Sequence, residues 1–150
     1  MALLSSIEQN AERFITVFTA TYNRAGFLPR LYDSLICQTN QRFKWLVIDD
    51  GSTDNTKEVV ERFRQENKIE ISYIYKENGG LHTGYNAAIA RLDTELSVCI
   101  DSDDWLPADG IEQIQTAWDR YKADDVAGLI GLDITADGNL IGDHLPEGSK

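Results

Sequence analysis

The sequence predicts an α/β protein with a Rossmann-like, doubly wound, mostly parallel sheet and helices on both faces. Three observations predict it. Strand-like and helix-like segments alternate four times with short connections. The segments KWLVI and LSVCI are continuous apolar runs, as in strands covered on both faces. Three strand-like segments run directly into polar clusters, and in a parallel sheet those clusters share the edge where ligands bind.

Residues 1–13 read as a lead-in, and residues 14–150 as one domain. FITVFTA (14–20) is rich in β-branched and aromatic residues and predicts the first strand. TYNRAGF is a turn. LPRLYDSLICQ carries Pro29 early and sets Leu28, Leu31 and Leu35 on one helical face. KWLVIDD (44–50) predicts the second strand. GSTDNT is a turn with several candidate N-caps, and Val59, Val60 and Phe63 mark the apolar face of the next helix. IEISYIY (69–75) predicts a third strand and ENGG (77–80) a loop. Leu81, Tyr85, Ala88, Ile89 and Leu92 then recur at helical spacing. LSVCI (96–100) predicts a short buried strand, DSDDWLPADG a polar turn, and Ile111, Ile114, Trp118 and Tyr121 an amphipathic helix. VAGLIGLDI (126–134) predicts a last strand, and TADGNLIG a hairpin turning at Asp137-Gly138.

Composition narrows the function. The chain has 150 residues, 42% of them hydrophobic and 26% charged, which is ordinary for one globular domain. Against 14 Lys and Arg stand 25 Asp and Glu, a net charge of −11. So acidic a chain does not hold nucleic acid through a general field; an anion must be met locally, by backbone N–H groups, a few basic side chains or a cation. Cys37 and Cys99 are far apart and form no CxxC pair, which predicts buried free thiols in a reducing compartment. No segment approaches the roughly 20 apolar residues of a membrane span. The N-terminus lacks the basic start of a signal peptide. A cytoplasmic protein is expected, with peripheral contact at the inner face of the membrane left open.

The polar strand ends carry the candidate chemistry. In DSDDW, three carboxylates within four residues repel one another unless a cation sits among them or a proton is retained. Alone, such a cluster reads as a solvated turn before a helix. After a buried strand, and beside two other polar strand ends, Asp101, Asp103 and Asp104 read as ligands of a hard divalent cation, with Ser102 between them. In VIDDGSTD, helix capping accounts for GSTD. Asp49 and Asp50 offer carboxylates to a nucleobase N–H or a ribose hydroxyl. TATYNR supplies Thr19, Ala20, an aromatic ring at Tyr22 and a cation at Arg24 that suits phosphate. ENGGLHTGYN contributes Asn78, the close-approach glycines Gly79 and Gly80, and Asn86, while His82 reads as a rim residue. No GxGxxG, GxxxxGK[ST] or GxSxG motif is present.

Taken together, FTATYNR, a helix ending in CQT, FKWLVIDDGSTDNT, ENGGLHTGYNAAI and CIDSDDW resemble the family 2 glycosyltransferases of GT-A fold, over nearly all of residues 14–134. Ala20 stands where that family very often has proline. The resemblance implies a nucleotide-sugar donor, commonly a UDP-sugar, and Mn2+ or Mg2+ as cofactor. DSDD then corresponds to the DxD motif, so that Asp101, Asp103 and Asp104 handle metal, diphosphate and ribose. Asp50, beside Asp49, corresponds to the carboxylate that reads base or ribose. Thr19, Tyr22 and Arg24 match the first nucleotide loop, and the stretch from ENGG to Asn86 lies along the donor. The family implies inverting transfer to an acceptor hydroxyl of a polysaccharide, lipid or protein. Only 46 residues follow Asp104, and none of Asp133, Asp137 and Asp143 matches the family's later acidic motif. The expectation is therefore a donor-binding part without its general base, incomplete for transfer. Two other readings stay open: a non-catalytic nucleotide-binding module, and a phosphatase-type hydrolase in which the first Asp of DSDD is a nucleophile.

Overall fold

The computed structural model describes residues 14–142. The expected lead-in lies outside them. The described residues fall into two compact units, divided between Gln115 and Thr116.

The first unit is built on four strands: β1 (Ile15–Thr21), β2 (Phe43–Asp49), β3 (Ile71–Tyr75) and β4 (Leu96–Cys99). Between them run α1 (Leu28–Ile36), α2 (Thr56–Glu66) and α3 (Leu81–Ile89), and α4 (Gly110–Tyr121) follows β4. The strand order is β3-β2-β1-β4, with every pairing parallel. Since β1 to β3 progress one way and β4 returns to the other side of β1, the topology reverses between β1 and β4. A parallel sheet opens a crevice at such a point, beyond the carboxyl ends of its strands.

Alternation along the strands assigns the helices to opposite faces. On one face the Trp45 ring lies roughly parallel to Tyr32 of α1 and Phe63 of α2, which themselves stack with centroids 4.0 Å apart. On the other, Phe18, Leu46 and Ile48 pack around Ala88 of α3, with Tyr85 set edge-on to Phe18. β1 and β2 are buried almost throughout, as their apolar runs require. Gly84 brings α3 against β1: a Cβ there would stand 3.1 Å from the Ala20 side chain.

Three expectations are corrected. LSVCI forms a strand, but β4 is the sheet edge and alternates between half-buried and exposed residues. Cys37 and Cys99 are free but exposed, because Cys37 follows the last turn of α1 and Cys99 sits on that edge strand. The strand expected over 126–134 does not form. Within 116–142, Ile134 and Leu140 make one antiparallel bridge around a turn whose Gly138 has φ +80°, as the Asp137-Gly138 signal anticipated. Residues 126–132 gain no ladder partner, and Ile130 stays 78% exposed. A strand without a neighbour leaves its backbone groups to water, whatever its side chains favour.

Candidate functional site

The polar strand ends are knitted together before any ligand is considered. Asn23 takes a left-handed conformation, φ +52°, which Asn tolerates better than most residues. Its side-chain carbonyl accepts from the Thr53 and Asp54 amides at 2.8 and 3.3 Å, and its own amide donates to Ser52 Oγ at 2.9 Å. Asp54 accepts from the Ala25 amide and from both donors of Thr56. The TYNR and GSTD loops are therefore one unit, and Asp54 organises the start of α2 in place of a conventional cap. Burial would raise the Asp54 carboxyl, but the Thr56 hydroxyl and the Ala25 and Thr56 amides hold it below the usual carboxylate value.

Asp49 and Asp50 have separate tasks. Asp49 is buried and accepts from the Ser52 amide at 2.7 Å and the Tyr73 hydroxyl at 2.5 Å. Its carboxylate faces partners within the protein and does not line the cleft at the carboxyl edge. Asp50 accepts from Lys76 Nζ, from the Gly79 amide at 3.1 Å and from the Gly80 amide at 2.8 Å. The Asn78 amide group donates to the Asp50 carbonyl at 2.8 Å. Burial pushes the Asp50 carboxyl up, yet Lys76 and the two glycine amides outweigh it and hold the group below its ordinary value. Asp50 is thus an anion that ties the ENGG loop to the end of β2. Gly51, φ +87°, makes this approach feasible: a Cβ there would stand 2.7 Å from the Asn78 backbone nitrogen.

A cleft of about 450 Å³ opens at the carboxyl edge. From the β1 end it is lined by Ala20, Thr21, Tyr22 and Arg24; from β2 by Asp50; from the ENGG loop and α3 by Asn78, Gly80 and Leu81; and from beyond β4 by Asp101 and Ser102. Eight of the residues singled out in the sequence meet here. Thr19, Asp49, Gly79, Asn86, Asp103 and Asp104 do not line it. Thr19 is fully buried, accepting from Trp45 Nε1 at 3.0 Å. Asp103 is near, through a 2.7 Å ion pair with Arg24 of the cleft wall. Asp101 accepts from the Tyr85 hydroxyl at 3.3 Å.

The segment after DSDDW is fixed from the other side. Gln38, 4% exposed, donates to the Ser34 and Pro107 carbonyls at 3.0 and 2.7 Å and accepts from the Ile111 amide at 2.9 Å. The Thr39 amide donates to the Ala108 carbonyl at 2.8 Å. One amide side chain thereby anchors the acidic loop's exit to α1.

Among the described residues, no three His, Cys, Asp or Glu side chains gather closely enough to hold a metal ion by themselves. The residues present fit a cation in the other common form, in which a hard ion takes one or two carboxylates and draws its remaining oxygens from phosphates of a bound ligand.

Two participants were not singled out from the sequence. Lys76 reads as an ordinary charge at a strand end. Thr21 was seen only as part of a polar cluster, yet its Oγ1 is buried, lines the cleft and has no hydrogen-bond partner. Such an atom is costly in a folded protein and marks a place where a partner is due.

A cleft at the switch point of a parallel sheet, with acidic groups from two strand ends, is where α/β domains of this class take small ligands. Comparison with known proteins defines the class further. The sequence profile of glycosyl transferase family 2 matches residues 16–143. The glycosyltransferase GlyA of Streptococcus pneumoniae is 34% identical over 114 residues, covering 76% of this chain and 16% of that protein. Residues 1–349 of S. aureus TarS, solved in complex with UDP-GlcNAc, superpose with a TM-score of 0.67 at 29% identity, over 71% of this chain and 31% of that one. The mannosyltransferase PcManGT from Pyrobaculum calidifontis, solved with GDP-Man and Mn2+, superposes with a TM-score of 0.60 at 25% identity, over 66% of this chain and 30% of that one. The chain belongs to glycosyl transferase family 2, and its four-stranded parallel sheet has the GT-A fold. It spans well under half the length of the relatives named. Among the described residues, no helix is long and apolar enough to cross a membrane.

Proposed function

We propose that this chain binds a UDP-sugar together with Mn2+ or Mg2+ in the carboxyl-edge cleft, as the donor side of a glycosyltransferase that transfers the sugar to an acceptor hydroxyl with inversion. The observation that carries the reading is that Asp50 and Asp101, from the ends of two different strands, line one cleft. Asp50 accepts from the base or ribose. Thr21 Oγ1 gains the partner it lacks. Tyr22, about half exposed at the rim, borders the base. Asp101 and Asp103 hold the cation, and Asp104, next in the chain, faces ribose or diphosphate. Arg24, which pairs with Asp103, exchanges that partner for a phosphate oxygen and keeps a charge-assisted hydrogen bond.

A bound divalent cation supplies Lewis-acid stabilisation of the charge that collects on the departing diphosphate. The protein's own part is to orient. The ENGG loop, fixed by Asp50, lays the donor along α3, and Gln38 holds the acidic loop from behind. The acceptor, a polysaccharide, lipid or protein hydroxyl, and the base that activates it belong to the activity of the whole protein. Two free, exposed cysteines support a reducing, cytoplasmic setting.

Calorimetry on the purified chain with UDP and UDP-sugars, with and without Mn2+, tests the reading. Binding that weakens on chelation and on Asp101→Asn is expected. Absence of binding by every nucleotide would overturn it.

A further inference from the structure

Lys76 follows β3 and points into the base of the ENGG loop. An ammonium has three donors, and all three are used: on the Asp50 carboxylate, on the Glu77 carbonyl at 2.6 Å and on Thr83 Oγ1 at 2.8 Å. Lys76 therefore has no N–H left for a phosphate. Its effect on a ligand must pass through Asp50.

A carboxylate has about four lone-pair positions. On Asp50, Oδ1 receives Lys76 and the Gly79 amide, and Oδ2 receives the Gly80 amide. The single Thr83 proton goes to the Gly80 carbonyl at 2.8 Å in preference to Asp50 at 3.4 Å. One acceptor position remains, on Oδ2, and Asp50 lines the cleft. Nucleobases differ in what they offer it. Uracil presents one ring N–H between two carbonyl oxygens. Guanine presents a ring N–H and an amino group side by side, a pair that a carboxylate binds fully only with one free position on each oxygen.

We propose that Lys76 is a positioning residue that sets the base preference of the cleft: by filling Oδ1 of Asp50 alongside the Gly79 amide, it leaves one acceptor, matched to uracil and mismatched to guanine. The inference rests on the nucleotide reading above and deepens it. Removing Lys76 frees a position on Oδ1 and lets guanine's second donor pair.

The test is calorimetry on the full chain with UDP, GDP and N3-methyl-UDP, for the wild type, Lys76→Met and Lys76→Arg. The wild type is expected to favour UDP over GDP by about tenfold or more, the usual effect of one charge-assisted hydrogen bond made or missed. N3-methyl-UDP, which lacks the single donor, should bind at least about tenfold more weakly than UDP. Lys76→Met should narrow the UDP-to-GDP ratio, and Lys76→Arg should preserve it. A general loss of loop structure would weaken both nucleotides alike and leave the ratio intact, which would overturn the proposal. So would a wild type indifferent to base or to N3-methylation, and those two measurements need no variant to fold. Failure of both UDP and GDP to bind at all would instead remove the nucleotide reading itself.

Discussion

Gly51→Ala perturbs the fold and the cleft at one atom, so its cost can be worked from the structure. Gly51 sits at φ +87°, and an alanine held in left-handed backbone costs about 1–2 kcal/mol. The added Cβ would stand 2.7 Å from the Asn78 backbone nitrogen, with the Asn78 Cβ at 3.0 Å, so backbone must move and not merely a flexible side-chain tip. Forced overpacking of this kind costs about 1–3 kcal/mol. The stiffer unfolded chain returns roughly 0.4–1 kcal/mol. The net expectation is about 1–4.5 kcal/mol, a substantial share of the roughly 5–15 kcal/mol that stabilises a typical domain. Urea unfolding followed by tryptophan fluorescence measures it, with Gly26→Ala as the control. Gly26 has no atom within 4 Å of a built Cβ and no positive φ, so that substitution should leave stability unchanged or raise it by up to about 1 kcal/mol. Because Asn78 is the residue displaced, the folded fraction of Gly51→Ala should also bind UDP more weakly. If Gly51→Ala proves as stable as Gly26→Ala, the close approach of the two loops is not a constraint and the argument fails.

Thr21→Val removes a buried hydroxyl without a partner, so stability should hold or rise by up to about 1 kcal/mol while UDP affinity falls; thermal melting and calorimetry on the same samples read the two effects. Gln38→Leu strands the Pro107 carbonyl and the Ile111 amide and should cost about 2–4 kcal/mol by urea unfolding, whereas an effect under about 0.5 kcal/mol would mean the amide is dispensable. Folding holds the Asp50 carboxyl below its unfolded value, because Lys76 and the glycine amides outweigh the opposing effect of burial. The unfolded chain therefore binds more protons as pH falls. The Asp50 contribution is fully present above the unfolded carboxylate value of about 3.9 and is lost as pH drops through the lower folded value. Acid unfolding of Lys76→Met should accordingly begin at higher pH than that of the wild type, and coincident curves would argue against the ion pair's role.

Periodicity and strand-end chemistry are local properties, and the sequence by itself determined what depends on them. The apolar runs at β1 and β2, the helical faces of α1 and α2 and the polar clusters beginning at Thr19, Asp49 and Asp101 could be read in order, and alternation implied a parallel sheet that brings those clusters to one edge; of the face expected on α3, Leu81 and Ile89 are exposed. Only the tertiary structure decided how neighbouring identical groups divide their tasks. Asp49 and Asp50 are adjacent carboxylates, but the pleat turns one toward Ser52 and Tyr73 and the other toward Lys76 and the cleft. Partners 24 to 30 residues away in the chain make that distinction, and no local pattern encodes them. The same holds for the exposure of Cys99, the missing strand over 126–134 and the unpartnered hydroxyl of Thr21. Each depends on whether some other part of the chain arrives beside it, and a sequence states what a residue offers before it states what it meets.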